Sequence, residues 1–220
     1  MLQPPLPADE AADAEVIRGS TIVKPPAGAP LGQTLRGPVA IKVGDKVTTD
    51  HIMPAGALLK LRSNVPEYAR HVFECFNEEG EPTFAQRALA AKERGAAAVI
   101  VAGESYGQGS SREHAALCPM YLGVRVVLAK AIERIHQANL VNFGILPLTF
   151  ADPDAYDHVA AGDVLAIDDV PGVIASAKTA TVRNETQGTE LTAAVTVAPR
   201  QRAILAAGGL LNYTRERASG

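Results

Sequence analysis

At 220 residues the chain has room for one well-buried domain with extensions. Its 47% hydrophobic and 20% charged residues and formal net charge of -3 are those of an ordinary soluble protein, without the basic field a nucleic-acid partner would call for. No apolar run reaches the ~18 residues of a membrane span and the N-terminus has no signal-like pattern, so no membrane partner is expected and a cytoplasmic location is the default.

Residues 1–36 read as a proline-rich interdomain linker, with Pro4, Pro5, Pro7, Pro25, Pro26 and Pro30 spread among small and acidic residues. A freestanding domain seldom needs so long a lead, and the stretch is expected to connect to a further domain. Residues 37–220 form the expected domain, including a C-terminal helix.

The run from Pro38 to Val43 alternates as a strand does and enters a turn at Gly44. Val47 to Gly56 then sets hydroxyls, Asp50 and His51 on a loop closed by Pro54 and Gly56, and Arg62 follows in a segment where an arginine taken alone is a solvated surface charge. Asp50 and His51 are neighbours in sequence, which on an extended segment points them opposite ways.

A short helix is predicted over 66–76 and a clearer one over 83–94, the latter stopped by Gly95. Residues 96–102 read as a buried strand, 110–117 as a short helix ended by Cys118 and Pro119, and 124–129 as a strand. A helix over 131–140, with Ile132, Ile135 and Leu140 buried, and a strand over 145–150 complete a βαβ pattern typical of a parallel unit. After a one- or two-turn helix from Asp152 to His158, strands over 164–167, 179–183 and 191–197 suggest an antiparallel part, and 199–217 is helical in pattern with a break at Gly208 and Gly209. Cys75 and Cys118 are far apart in sequence and outside any C-x-x-C arrangement, which argues for two reduced thiols and against a self-contained metal site.

The chemistry concentrates in Gly103 to His114, which packs three glycines, three serines, an arginine and a histidine between a strand and a helix. Such a turn is suited to gripping a carboxylate or phosphate. Ser110 with Glu113 fits a capping box, in which the serine caps the helix and the glutamate reaches back. The functional reading is that Ser110, with Arg112 and spare amides near it, acts as a base or nucleophile. The run departs from the G-x-S-x-G elbow of hydrolases, from the P-loop and from G-x-G-x-x-G, so hydrolase and nucleotide-binding readings are weak.

Taken together, Gly103 to Ala115, Thr48 to Gly56, Ile135-His136 with Asn139-Leu140, and Asn142 to Phe150 resemble the C-terminal swivel domain of the aconitase family, over about residues 37–217. The resemblance implies a swivelling three-layer β/β/α domain of a hydro-lyase that interconverts citrate and isocitrate through cis-aconitate. It implies Ser110 as the catalytic base, Arg62, Ser111 and Arg112 as substrate-binding residues, and Asp50, His51 and His114 in supporting roles. It also implies a [4Fe-4S] cluster held by three cluster-bearing domains absent from this sequence, on the same chain or a large subunit, which would be its partners together with a tricarboxylate substrate. Cys75 and Cys118 do not match the cluster ligands, so this chain alone is expected to bind no metal and to be inactive. The G-S-S-R-E-H run is shared with the small subunits of isopropylmalate isomerase and homoaconitase, while the segment around Arg62 looks more like aconitase. A binding module that uses the scaffold without catalysis is the remaining alternative.

Overall fold

The β-branched runs of the chain become seven strands: β1 (Leu35–Val43), β2 (Ala98–Ala102), β3 (Val124–Ala129), β4 (Leu146–Phe150), β5 (Val164–Ile167), β6 (Thr179–Asn184) and β7 (Thr189–Ala194). In this computed structural model, which describes residues 4–218, they close into a barrel in the order β1-β2-β3-β4-β7-β6-β5. The first three residues of the expected linker and the last two of the expected domain lie outside the described residues. Neighbours from β1 to β4 are parallel; β4 with β7, β7 with β6, β6 with β5, and β5 with β1 are antiparallel. The mixed parallel and antiparallel α/β architecture expected from the sequence is therefore present, and closure leaves neither half with a bare edge.

Nine α-helices accompany the barrel among the described residues: α1 (Ala8–Ala12), α2 (Thr49–Ile52), α3 (Val65–Tyr68), α4 (Phe84–Glu93), α5 (His114–Leu122), α6 (Arg134–Asn142), α7 (Val170–Ala175), α8 (Pro199–Ala206) and α9 (Leu210–Ala218). Two cores separate three layers. Between the parallel and antiparallel halves lie Val39, Val99, Val101, Val126, Leu128, Leu148, Leu165 and Val182. The residual cavity among them is about 10 Å³, so the barrel is filled rather than open. On the other face of the parallel half, Val43, Ile100, Val127 and Ala129 pack under Ile52, Tyr68, Phe84, Ala115 and Leu140 from the surrounding helices.

Two β-bulges decide which residue faces which core. The pairing steps from Val39 with Val99 to Ile41 with Ile100, and from Ala98 with Val124 to Val99 with Val126. Ala40 and Arg125 are the extra residues, and each insertion moves the following side chains to the opposite face.

Several sequence expectations are corrected. The stretch 66–76 is broken into α3 and two 3-10 turns, the second set apart by an extended Val72 and by Phe73 with a left-handed φ of 56°. Helix α5 begins at His114 and runs through Pro119 to Leu122, where a shorter helix starting at Ser110 was expected. Ile135 is 52% exposed; the buried residues of α6 are His136, Leu140 and Val141. The last strand begins two residues earlier than expected and ends at Ala194, and α7 was not anticipated.

In the N-terminal stretch α1 is exposed throughout, whereas the later part runs along the barrel. The Val23 amide donates to the Ser63 carbonyl at 3.0 Å, the Asn212 side chain to the Gly28 carbonyl at 3.0 Å, and the Val170 amide to the Gln33 carbonyl at 2.9 Å.

Candidate functional site

Three loops leave the carboxyl ends of the adjacent parallel strands β1, β2 and β3 and go on pairing beyond the sheet. The Lys46 amide donates to the Glu104 carbonyl at 2.7 Å, the Gly107 amide to Val47 at 2.8 Å and the Thr49 amide to Gln108 at 2.9 Å. On the other side, the Tyr106 amide donates to Ala131 and the Glu133 amide to Tyr106, both at 2.9 Å. The 103–114 loop is thus held between its neighbours at the end of the sheet where open α/β folds carry their ligands.

Ser110 is fixed through its backbone. The hydroxyl of Thr49, a residue only 2% exposed, donates to the Ser110 carbonyl at 3.0 Å, while Ser110 and Ser111 are exposed. That tie keeps Ser110 in the loop, so the expected capping box with Glu113 does not form. Glu113 itself occupies the N-cap position of α5 in a helical conformation and makes no side-chain cap bond. A capping box is found instead at the start of α2, where the His51 amide donates to Thr48 Oγ1 at 3.2 Å and the Thr48 amide donates to His51 Nδ1 at 3.1 Å. The second of these bonds assigns the His51 ring proton to Nε2.

Arg112 reaches from the glycine loop to α2. Its Nη1 donates to Asp50 Oδ1 at 2.7 Å and to the Met53 carbonyl at 2.9 Å. The bond from the Arg112 guanidinium, with its charge, holds the Asp50 carboxyl below the usual carboxylate range. Both bonds use Nη1, which leaves Nη2 and Nε as the side of the fork that can take a second carboxylate. The arginine side chain is 15% exposed and the aspartate 60%, so this pair sits where the site meets solvent.

His114, first residue of α5, donates from Nε2 to the Arg62 carbonyl at 2.9 Å. Its ring packs on Tyr68 at 5.4 Å between centroids, and the Tyr68 hydroxyl donates to the Pro54 carbonyl at 2.8 Å. Arg62, just beyond a 3-10 turn over Gly56–Leu61, is exposed. Two polar ties thus bring distant parts of the chain to the glycine loop: Arg112 to Asp50 across 62 positions, and His114 to Arg62 across 52.

Sequence reasoning missed Thr49, Tyr68 and the ring pair Tyr106 and His136. Thr49 stands inside the family-like run Thr48 to Gly56, but only its burial and its bond to Ser110 reveal its task. A cleft of about 810 Å³ between β1 and α4, lined by Ala40, Arg87 and Arg94 among others, contains none of the candidate residues.

Among the described residues, no group of three or more His, Cys, Asp or Glu is arranged to hold a metal ion. Cys75 is exposed and Cys118 is buried in α5, where burial pushes its thiol up to about 12. These donors do not fit an iron-sulfur cluster. Nor is any helix long and apolar enough to cross a membrane among the described residues.

Comparison with known proteins agrees with the geometry. Residues 57–153 match the family model described as the aconitase C-terminal domain. The chain is 38% identical over 200 residues to a probable mitochondrial aconitate hydratase of Dictyostelium discoideum, covering 80% of this chain and 25% of that protein. The chain therefore spans about a quarter of the length of that relative. It is also 38% identical over 180 residues to the 3-isopropylmalate dehydratase small subunit 2 of Archaeoglobus fulgidus, covering 80% of this chain and 93% of that one. A crystal structure of 3-isopropylmalate dehydratase from Methanocaldococcus jannaschii superposes with a TM-score of 0.66 at 29% identity, covering 84% of this chain and 96% of that one. With the barrel, the tied loops and these relatives in view, the chain belongs to the aconitase C-terminal domain family and is an aconitase-type swivel domain.

Proposed function

We propose that this chain is the swivel portion of a hydro-lyase that interconverts citrate and isocitrate through cis-aconitate, working against a cluster-bearing partner on the same chain or a separate large subunit. On this reading the stretch ahead of β1 links the two; the expected boundary at residue 36 moves back, because Leu35 and Arg36 already pair with β5. The observation that carries it is the pair of ties from the glycine loop, Arg112 to Asp50 and His114 to the Arg62 backbone, which join the segments bearing Asp50 and Arg62 to the loop of the exposed Ser110.

Ser110 removes the proton from the carbon next to a substrate carboxylate. A serine alkoxide is costly, and on this reading Arg112 and the loop amides offset part of that cost once substrate is bound. Arg112, oriented by Asp50, takes one substrate carboxylate on its free side; Arg62 takes a second, and Ser111 adds a hydroxyl contact. His51 and His114 hold the flanking loop and helix. The family implies a [4Fe-4S] cluster, and because this chain's donors do not fit it, the cluster is assigned to the partner.

A second reading, the small subunit of a homoaconitase or isopropylmalate isomerase, is favoured by the 93% coverage of an isopropylmalate dehydratase small subunit. The exposed Arg62 supports the tricarboxylate reading, because an apolar substrate arm gives a cation nothing to pair with. The test is to combine the chain with its cluster-bearing partner and measure turnover of citrate, homocitrate and isopropylmalate. Citrate turnover that Arg62→Ala lowers by about tenfold or more in kcat/KM is expected. Preference for isopropylmalate would replace the main reading with the second, and full activity of Ser110→Ala would refute the base assignment. Robust interconversion by the pure, metal-free chain alone would overturn the division of labour.

A further inference from the structure

The loop bearing Ser110 rests on α6, and one residue of α6 lies closer to it than ordinary packing allows any side chain other than hydrogen. Gly107 has φ 83°, and a Cβ placed there would lie 2.2 Å from Cγ of His136. The backbone of the loop therefore lies in direct contact with the Cβ, Cγ and Cδ2 side of His136. Tyr106, one residue earlier, sets its ring edge against the same imidazole at 5.2 Å between centroids and 69° between planes. Each ring is 1% exposed. Ser105, in a left-handed conformation with φ 57°, donates its hydroxyl to Glu133 at the head of the same helix.

Neither nitrogen of His136 has a hydrogen-bond partner, and the Tyr106 hydroxyl has none either. Burying polar atoms in this way costs free energy, so the imidazole is not held there by its hydrogen bonds. What the loop meets is the shape of the side chain. A buried surface under a glycine fixes the height and twist of the loop at residue 107, three residues before Ser110, while Thr49 fixes its other side at the Ser110 carbonyl.

We propose that His136 is a positioning residue: its ring, with Tyr106, is the template against which the loop from Ser105 to Ser110 takes its working shape. The proposal rests on the reading of Ser110 as a site residue. It differs from plain core packing in what it predicts, because the ring's shape should matter to the loop more than to the fold.

The test is hydrogen exchange on the full chain, read at the amides of Lys46, Thr49 and Gly107, which bond across the loops, with the β2 and β3 ladder amides as the internal reference. His136→Phe keeps the ring and should leave exchange at these amides unchanged. His136→Ala should speed it by about tenfold or more relative to the ladder. If His136→Ala does not fold, His136→Leu, which fills the space without a flat ring, takes its place with the same expected gain. In the enzyme completed with its partner, the Ala or Leu variant should lose kcat by about tenfold or more with KM little changed, and His136→Phe should restore it. Unchanged loop exchange and kcat in a folded Ala or Leu variant would overturn the proposal, as would loop loosening in a folded Phe variant. Ser110→Ala, run in parallel, separates the two readings: if it remains active, the assignment of Ser110 fails, while the exchange result on His136 still judges the template.

Discussion

At Arg112 a single side chain joins the glycine loop to α2, and the pair it makes with Asp50 is asymmetric in exposure, 15% against 60%. Most of the arginine's desolvation is already incurred by the fold, so removing the aspartate leaves a largely buried guanidinium with one neutral partner, the Met53 carbonyl. Asp50→Asn is expected to lower kcat/KM of the completed enzyme by about tenfold through misorientation of Arg112, and to lower the melting temperature as well, because the largely buried guanidinium loses its counter-charge. Steady-state kinetics beside a melting curve checks both halves. Arg112→Lys should cost more, because a lysine cannot hold Asp50 on one side and a carboxylate on the other with a planar fork. His51 and His114 illustrate how the same residue type can be read from sequence yet given its task only by its partner: one receives a backbone amide at Nδ1, the other donates to a carbonyl from a segment 52 positions away.

Among the elements, β1 is the seam of the barrel, paired with β2 on one side and β5 on the other. Gly37 lies where these meet: a Cβ there would sit 1.8 Å from the Ala97 carbonyl oxygen, a backbone atom that cannot step aside. Gly37→Ala is therefore expected to destabilise the domain by about 3 kcal/mol or more, at the upper end of overpacking effects, which urea denaturation would measure. Helix α4 is the contrasting case. Its Thr83 and Gln86 form a capping box, and Thr83→Ala should cost about 1 kcal/mol. The start of α5 shows why such local signatures fail: Ser110 and Glu113 have the right spacing, but Thr49 holds the Ser110 carbonyl and the helix begins four residues later.

At the scale of the whole molecule, burial has a consequence for acid stability. Burial of His136 drives its pKa from 6.5 to about 4, so the unfolded chain takes up a proton over this range that the folded chain refuses. Stability conferred by the neutral ring is complete above pH 6.5 and is lost as the pH falls toward 4, by about 3 kcal/mol in all. Asp163 belongs to a lower window. Burial raises its pKa, but bonds from the Ala160 amide, Asn184 and Gln187 outweigh it and bring the carboxyl below 3.8, so its contribution is lost only beneath that value. His136→Phe should flatten the stability curve between pH 6.5 and 4, and an unchanged slope in denaturant titrations would count against the buried neutral imidazole. The sequence by itself determined the succession of strands and crossover helices from β2 to β4, because short β-branched runs and helix-stopping glycines act locally. It also marked the glycine loop, through a residue pattern shared with a known family. Only the tertiary structure decided the barrel closure of β5 on β1, the two bulges that choose which residue faces which core, and the ties from Arg112 and His114. These depend on contacts between residues dozens of positions apart, and a buried His136 beneath Gly107 has no local signature, since its neighbour Ile135 carries the apolar side chain and yet faces solvent.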